Sequence, residues 1–254
     1  SGGDAQGDTI SNFENVTGSN HNDTLIGNSA ANVLDGGGGT DTVSYAGSSS
    51  AVSVNLSNNA VSGGDAQGDT ISNFENVAGS SHNDTLTGSS GANVLTGAAG
   101  ADILDGGAGA DTLDGGAGTD TVSYAGSSAG VSVNLSNNAV SGGDAQGDTI
   151  SNIENVTGSN HNDTLTGSSA ANVLDGGAGT DTVSYSGSSA AVSVNLSNNA
   201  VSGGDAQGDT ISNIENVTGS NHNDTLTGSS AANVLTGAAG TDTLIGGAGA
   251  DTLD

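Results

Sequence analysis

A nine-residue phrase, repeated in register, constrains this chain more than any other feature. It is clearest at Gly106-Gly107-Ala108-Gly109-Ala110-Asp111-Thr112-Leu113-Asp114. It recurs from Gly36, Gly115, Gly176 and Gly246, with one glycine replaced by alanine in the rows that begin at Gly97 and Gly237. Glycines let the backbone turn tightly and aim its carbonyls inward. The sixth-position Asp adds a carboxylate, and the apolar eighth residue sits between polar neighbours, as in a strand buried on one face. A turn lined only by oxygen donors suits a hard cation such as Ca²⁺. Each row therefore reads as a metal-binding turn plus a short strand, half of one coil.

The rows are nested in longer repeats. Ser-Gly-Gly-Asp-Ala-Gln-Gly-Asp-Thr-Ile begins at Ser1, Ser62, Ser141 and Ser202, and residues 1–114 differ from 141–254 at only 13 positions. Fifteen nine-residue rows and seven 17-residue units account for all 254 residues. The chain reads as one continuous repeat solenoid over 1–254, a fragment of a longer tandem array, with modules 1–61, 62–140, 141–201 and 202–254. The 45 glycines and the lack of any 3.6-residue period disfavour helix. If two rows make one coil and each 17-residue unit makes another, the fold is all-β: a parallel β-solenoid, or β-roll, of about 14 coils with calcium in the turns. At ~4.8 Å per stacked strand it would be roughly 70 Å long.

Composition sharpens the metal requirement. The net charge is −28 with no Lys or Arg, and Leu, Ile, Val and Phe together number 46. So few large apolar residues beside so much charge would ordinarily mark a disordered chain. Strict periodicity reconciles the two if folding requires a counter-ion. The missing basic residues exclude a phosphate-neutralising surface, so no nucleic-acid partner is expected. No apolar run reaches the ~18 residues of a membrane span.

Gly106 to Asp114 closely resembles the repeat of the RTX, or haemolysin-type calcium-binding, family. The phrase from Ile10 to Leu25, Ile-Ser-Asn-Phe-Glu-Asn-Val-Thr-Gly-Ser-Asn-His-Asn-Asp-Thr-Leu, resembles the diverged repeats found among the standard ones. The resemblance implies a parallel β-roll in which glycine carbonyls and sixth-position carboxylates hold Ca²⁺ between coils. It also implies type I secretion and folding in external calcium. Carried onto this sequence, the implied ligands are Asp23, Asp41, Asp84, Asp102, Asp111, Asp120, Asp163, Asp181, Asp224, Asp242 and Asp251. Asp8, Asp69, Asp148 and Asp209 of the 17-residue units join them. The implied carbonyl donors are Gly37, Gly39, Gly107, Gly109, Gly116, Gly118, Gly177, Gly179, Gly247 and Gly249. Four rows depart by carrying Asn32, Asn93, Asn172 and Asn233 at the sixth position, where weak calcium binding or none is expected. Four others place His21, His82, His161 and His222 where the fourth residue should be glycine; these read as surface turn residues.

Rows should alternate between two edges of the solenoid. Asp23 then stacks near Asp41 with Asn32 opposite, and Asp84, Asp102 and Asp120 form a ladder with Asn93 and Asp111 opposite. Half-integer coil counts per module should place Asp148, Asp163 and Asp181 with Asp8, Asp23 and Asp41. Asp209, Asp224 and Asp242 should then join Asp69, Asp84, Asp102 and Asp120 on the other edge. Tyr45, Tyr124 and Tyr185 should cover the core where coil lengths change. Glu14, Glu75, Glu154 and Glu215 are one repeat position, not the unique carboxylate pair of a hydrolase, and every other candidate nucleophile also recurs, so no enzyme is expected. The expected role is a secreted, extracellular calcium-binding structural segment of an adhesin, surface layer or fibre, with calcium as partner and end-to-end or lateral self-association through exposed strand edges. The alternatives are an accessory repeat domain of a type I-secreted enzyme or toxin, and an ice- or polysaccharide-binding face.

Overall fold

The structure, a computed structural model, describes residues 13–254 together with Ala5. Asp8, one of the implied ligands, lies outside the described residues. Each nine-residue row folds as read: a tight turn, then a short strand whose middle residue points inward. Val33–Asp35, Thr42–Ser44 and Thr164–Thr166 are examples, with Leu34, Val43 and Leu165 buried between polar or exposed neighbours. Rows two apart stack in parallel, so Leu95 lies on Leu113 and Leu86 on Leu104. The core is thus one residue wide per strand, and Leu86, Leu95, Leu104, Leu113 and Val122 have no exposure at all.

The strands form five sheets, not two faces. The first holds Asn15–Thr17, Val33–Asp35 and Thr70–Ser72. The second runs from Thr24–Ile26 to Thr149–Ser151, and the third from Ser53–Asn55 to Thr210–Ser212. The fourth runs from Ser132–Asn134 to Thr252–Leu253, and the fifth from Ser193–Asn195 to Thr243–Ile245. Each new sheet opens before the preceding one ends.

This overlap corrects the coil count. After Thr42–Ser44 the chain starts the third sheet with Ser53–Asn55 and doubles back in an antiparallel arm, Ala60–Ser62. A single 3₁₀ turn, Gly64–Ala66, follows. Thr70–Ser72 then lands on Val33–Asp35, and Asn76–Ala78 on Thr42–Ser44. The 34 residues from Thr42 to Asn76 therefore make one circuit with four strands from three sheets, where two coils were expected. The stack is correspondingly shorter than about 14 coils. The physical cause is the diverted arm, which covers the otherwise open edge of the new sheet. The same arms recur at Ala139–Ser141 and Ala200–Ser202. A three-residue corner also replaces a six-residue turn after Thr70–Ser72. Asn73 makes it by adopting a left-handed φ of 56°, which Asn tolerates better than most residues. Tyr45, Tyr124 and Tyr185 are buried at these junctions, as expected.

Two rows carry a local conflict. Ala98 and Ala238 sit at φ 83° and 68°, where Gly107 and Gly116 occupy the same turn position at 77° and 94°. A side chain in this region costs of order 1 kcal/mol or more, partly offset by the greater unfolded-state freedom of glycine. Ala98→Gly should therefore stabilise the fold by up to about 1 kcal/mol. Thermal melting in saturating calcium measures it, and a lower Tm than the parent would count against the strained position.

Candidate metal centre

The residue just before each strand builds a ladder along the turn edge. The Asp23 N–H donates to Asp41 Oδ1 at 2.7 Å, Asp84 to Asp102 at 2.7 Å, and Asp102 to Asp120 at 2.8 Å. Asp163 donates likewise to Asp181, and Asp224 to Asp242. The stacking of Asp23 on Asp41 and of Asp84, Asp102 and Asp120 on one another is as read. The two-edge alternation is not, because every sheet has its own ladder. The second sheet's ladder runs Asp23, Asp41, Glu75, Asn93, Asp111, Asp148. The third runs Asp84, Asp102, Asp120, Glu154, Asn172, Asp209. Asp148 thus joins Asp23, and Asp209 joins Asp84, but the fourth sheet claims Asp163 and Asp181, the fifth claims Asp224 and Asp242, and Asp69 pairs with Asn32 in the first. Each 34-residue segment adds a face, and the following aspartates move to it.

The second carboxylate oxygen divides the rows into two kinds. Where the row begins Gly-Ser, the serine N–H takes that oxygen. Ser19, Ser80, Ser159 and Ser220 donate to Oδ2 of Asp23, Asp84, Asp163 and Asp224 at 2.5–2.6 Å. The hydroxyls of Ser80, Ser159 and Ser220 add a bond to Oδ1. The Asn rows are also closed on themselves: Asn28, Ser89, Ser168 and Ser229 donate to Oδ1 of Asn32, Asn93, Asn172 and Asn233. In glycine-rich rows the equivalent residue is a left-handed glycine or alanine whose N–H is aimed elsewhere; those of Gly37, Gly107 and Gly177 donate to Asp35, Asp105 and Asp175. Oδ2 of Asp41, Asp102, Asp111, Asp120 and Asp181 is buried without any hydrogen-bond partner. A buried, unpaired anionic oxygen is costly, and a cation is what offsets it. Small residues keep the space beside it open. A Cβ at Gly115 or Gly176 would come within 2.7 Å of Asp120 or Asp181 Oδ2.

These residues fit a hard cation. Among the described residues no three His, Cys, Asp or Glu side chains converge, so an ion here would be held by one or two carboxylates plus backbone carbonyls. All ten implied carbonyl donors, from Gly37 to Gly249, have positive φ. Asp242 and Asp251 occupy the same turn position in less buried rows at the C-terminal end. Asp69, Asp148 and Asp209 are engaged otherwise. Each accepts a ladder N–H on Oδ1, and Tyr45, Tyr124 and Tyr185 donate a hydroxyl to Oδ2 at 3.1, 3.1 and 3.0 Å. Sequence reading missed this pair, although a Tyr stands 24 residues before the Asp in all three cases. The histidines are exposed in their turns, as expected.

Parallel sheets stacked from glycine turns and carboxylate ladders define the class: a β-roll of repeats. The family model of the RTX calcium-binding nonapeptide repeat matches residues 17–47, 78–113, 100–126, 157–187 and 218–253. These spans cover more than half of the chain, which belongs to that family. A search of curated proteins finds no match.

Individual carboxyls in the ladders are shifted in opposite directions. Serine hydrogen bonds hold the Asp23 carboxyl below the usual carboxylate range. Burial, with the Asp84 and Asp120 charges, pushes Asp102 up to about 6. Burial, then Asp148, Asp105 and Asp144, pushes Asp111 up to about 7. Burial, then Asp163 and Glu215, pushes Asp181 up to about 6. A carboxyl raised in the fold binds its proton more tightly there than in the unfolded chain. Its stabilisation is complete below the ordinary value of 3.8 and is lost as pH rises through about 6 to 7. In chelator, the folded fraction should therefore rise as pH falls from 7.5 to 5, and Asp111→Asn should flatten that rise. Circular dichroism against pH measures both; a folded fraction that falls over this window would contradict the assignment.

Proposed function

We propose that this chain is a secreted structural segment that folds on binding calcium. It would serve as a stalk or spacer in an adhesin, surface layer or extracellular fibre, reached by type I secretion. The observation that carries the reading is the set of five buried, partnerless carboxylate oxygens, one in each of five glycine-rich turns. The chain has no Lys or Arg to neutralise them. Calcium would supply that charge at Asp41, Asp102, Asp111, Asp120 and Asp181, and at Asp242 and Asp251, together with the carbonyls of the left-handed glycines. The serine-closed and tyrosine-bound aspartates would keep the ladder in register without metal.

Further observations support a structural role over the alternatives. Every side chain that could do chemistry recurs with the repeat, which suits a non-catalytic segment. The overlapping sheets suit one continuous array. Outward positions of the third sheet read Ser53, Thr85, Ile103, Thr121, Val173 and Thr210, with Asn155 buried at the same register. That mixture favours a spacer over a flat threonine face for ice or polysaccharide. Among the described residues no helix is long and apolar enough to cross a membrane.

Calcium should drive folding, since a ligand that binds only the folded state stabilises it by mass action. Circular dichroism should show coil at neutral pH in chelator and β-structure in millimolar Ca²⁺. Mg²⁺ should substitute poorly because it demands a tighter octahedron and gives up water reluctantly. A chain equally folded in chelator would sink the proposal. Within the array, Asp102→Ala should cost more calcium affinity than Asn93→Ala.

A further inference from the structure

At three places the neighbour stacked on a glycine turn is not another glycine turn. It is the corner Asn73-Phe74-Glu75, or its equivalents Asn152-Ile153-Glu154 and Asn213-Ile214-Glu215. The glutamate takes the ladder position that an Asp holds elsewhere. Glu75 Oε2 accepts the Asp41 N–H at 2.8 Å, Glu154 that of Asp120 at 2.8 Å, and Glu215 that of Asp181 at 2.9 Å. The backbone reciprocates, with Glu75, Glu154 and Glu215 N–H donating to the carbonyls of the same aspartates. Each Asp–Glu pair is thus locked in register on one turn edge, in a chain without a single Lys or Arg.

Two further observations point to a ligand at this spot. Asp41, Asp120 and Asp181 are among the five aspartates with a partnerless Oδ2, and each residue is at most 1% exposed. Beside that oxygen lies a cradle kept open by glycine. A Cβ on Gly36 would meet both Asp41 Oδ2, at 2.9 Å, and the carbonyl oxygen of Asn73. Gly115 stands in the same way to Asp120 Oδ2 and the Asn152 carbonyl, and Gly176 to Asp181 Oδ2 and the Asn213 carbonyl. Left-handed φ at Asn73, Asn152 and Asn213 sets those carbonyls in place. On the far side of the glutamate the ladder turns neutral. Asn93, Asn172 and Asn233 each donate a side-chain N–H to the glutamate carbonyl. An Asp there could not donate. The carboxylate pair therefore closes an acidic run, with a neutral side chain and not another carboxylate beyond it.

We propose that Glu75, Glu154 and Glu215 each complete a calcium site at a junction, with the Asp carboxylate of the glycine turn and the Asn carbonyl of the corner as the other donors. The proposal rests on calcium being the ion of the glycine turns. Such a site ties two sheets together where one of them ends. Gly36 and Asn73 follow strands of the first sheet, while Asp41 and Glu75 precede strands of the second. The ion would pin the last strand of the ending sheet, Thr70–Ser72, to the continuing one, and so carry rigidity through the change of face.

Calorimetric titration of the full chain with CaCl₂ tests this, comparing the parent with the triple variant Glu75→Gln, Glu154→Gln, Glu215→Gln. Glutamine keeps an oxygen for the Asp N–H and removes only the charge. The variant should lose three calcium ions from the tight phase. Unchanged stoichiometry and affinity would overturn the proposal. Anomalous scattering from parent crystals grown in CaCl₂ tests it without relying on the variant's folding. Peaks are expected between Asp41 and Glu75, Asp120 and Glu154, and Asp181 and Glu215. Peaks in the turns of Asp102 and Asp111 with none at the junctions would refute it. A parent that takes up no calcium at all would instead overturn the reading of the glycine turns themselves.

Discussion

The structure depends on a carboxylate that performs two tasks at once. One oxygen of a ladder aspartate accepts a backbone N–H from the coil stacked before it, 18 residues earlier between successive rows, which sets the register of the coils. Within the nine-residue rows the other oxygen must be satisfied in its own turn, and the second residue of the row decides how. A serine N–H closes the turn without help, as Ser80 does for Asp84. A left-handed glycine aims its N–H elsewhere, as Gly177 does toward Asp175, and leaves Asp120 or Asp181 with a buried bare oxygen. The second residue of the row, serine or a left-handed glycine or alanine, thus separates turns closed by the protein from turns with a bare oxygen. Interspersing the two gives an array whose register is partly built into the protein and whose charge balance is not.

The junctions solve a different problem. A sheet begun in the middle of a rod has an open edge, and each of the three starts with a hairpin arm that covers it. The circuit that bears the hairpin carries strands from three sheets, so the chain can leave one face and take up another without interrupting the core. The tyrosines fill these wider circuits, and their hydroxyls reach Asp69, Asp148 and Asp209, pairing a buried polar group with a carboxylate that also holds the ladder. The glutamates and the asparagines that follow them mark the same points on the acidic edge, ending each run of like charge after two or three aspartates.

Much of this was legible in the sequence because it is local and periodic. Glycine spacing, the sixth-position Asp and the buried eighth residue determined the turn, the strand and the parallel stacking at 18 residues, and the absence of any cation in the chain pointed to a metal. The special standing of Asn32, Asn93, Asn172 and Asn233 was also readable, since an amide offers one oxygen and no charge. Tertiary structure alone decided which circuit each strand closes. The 34-residue segments look like two coils by length, but Ala60–Ser62 runs antiparallel and Asn73 turns a corner in three residues. Neither choice has a periodic signature, because each depends on an open sheet edge that exists only once the strands are stacked. For the same reason the sequence could not distinguish Asp23 from Asp41 as ligands. Both stand at the sixth position of a row. Only the folded turn shows that Oδ2 of one carboxylate is already met by Ser19 and Oδ2 of the other by nothing in the protein.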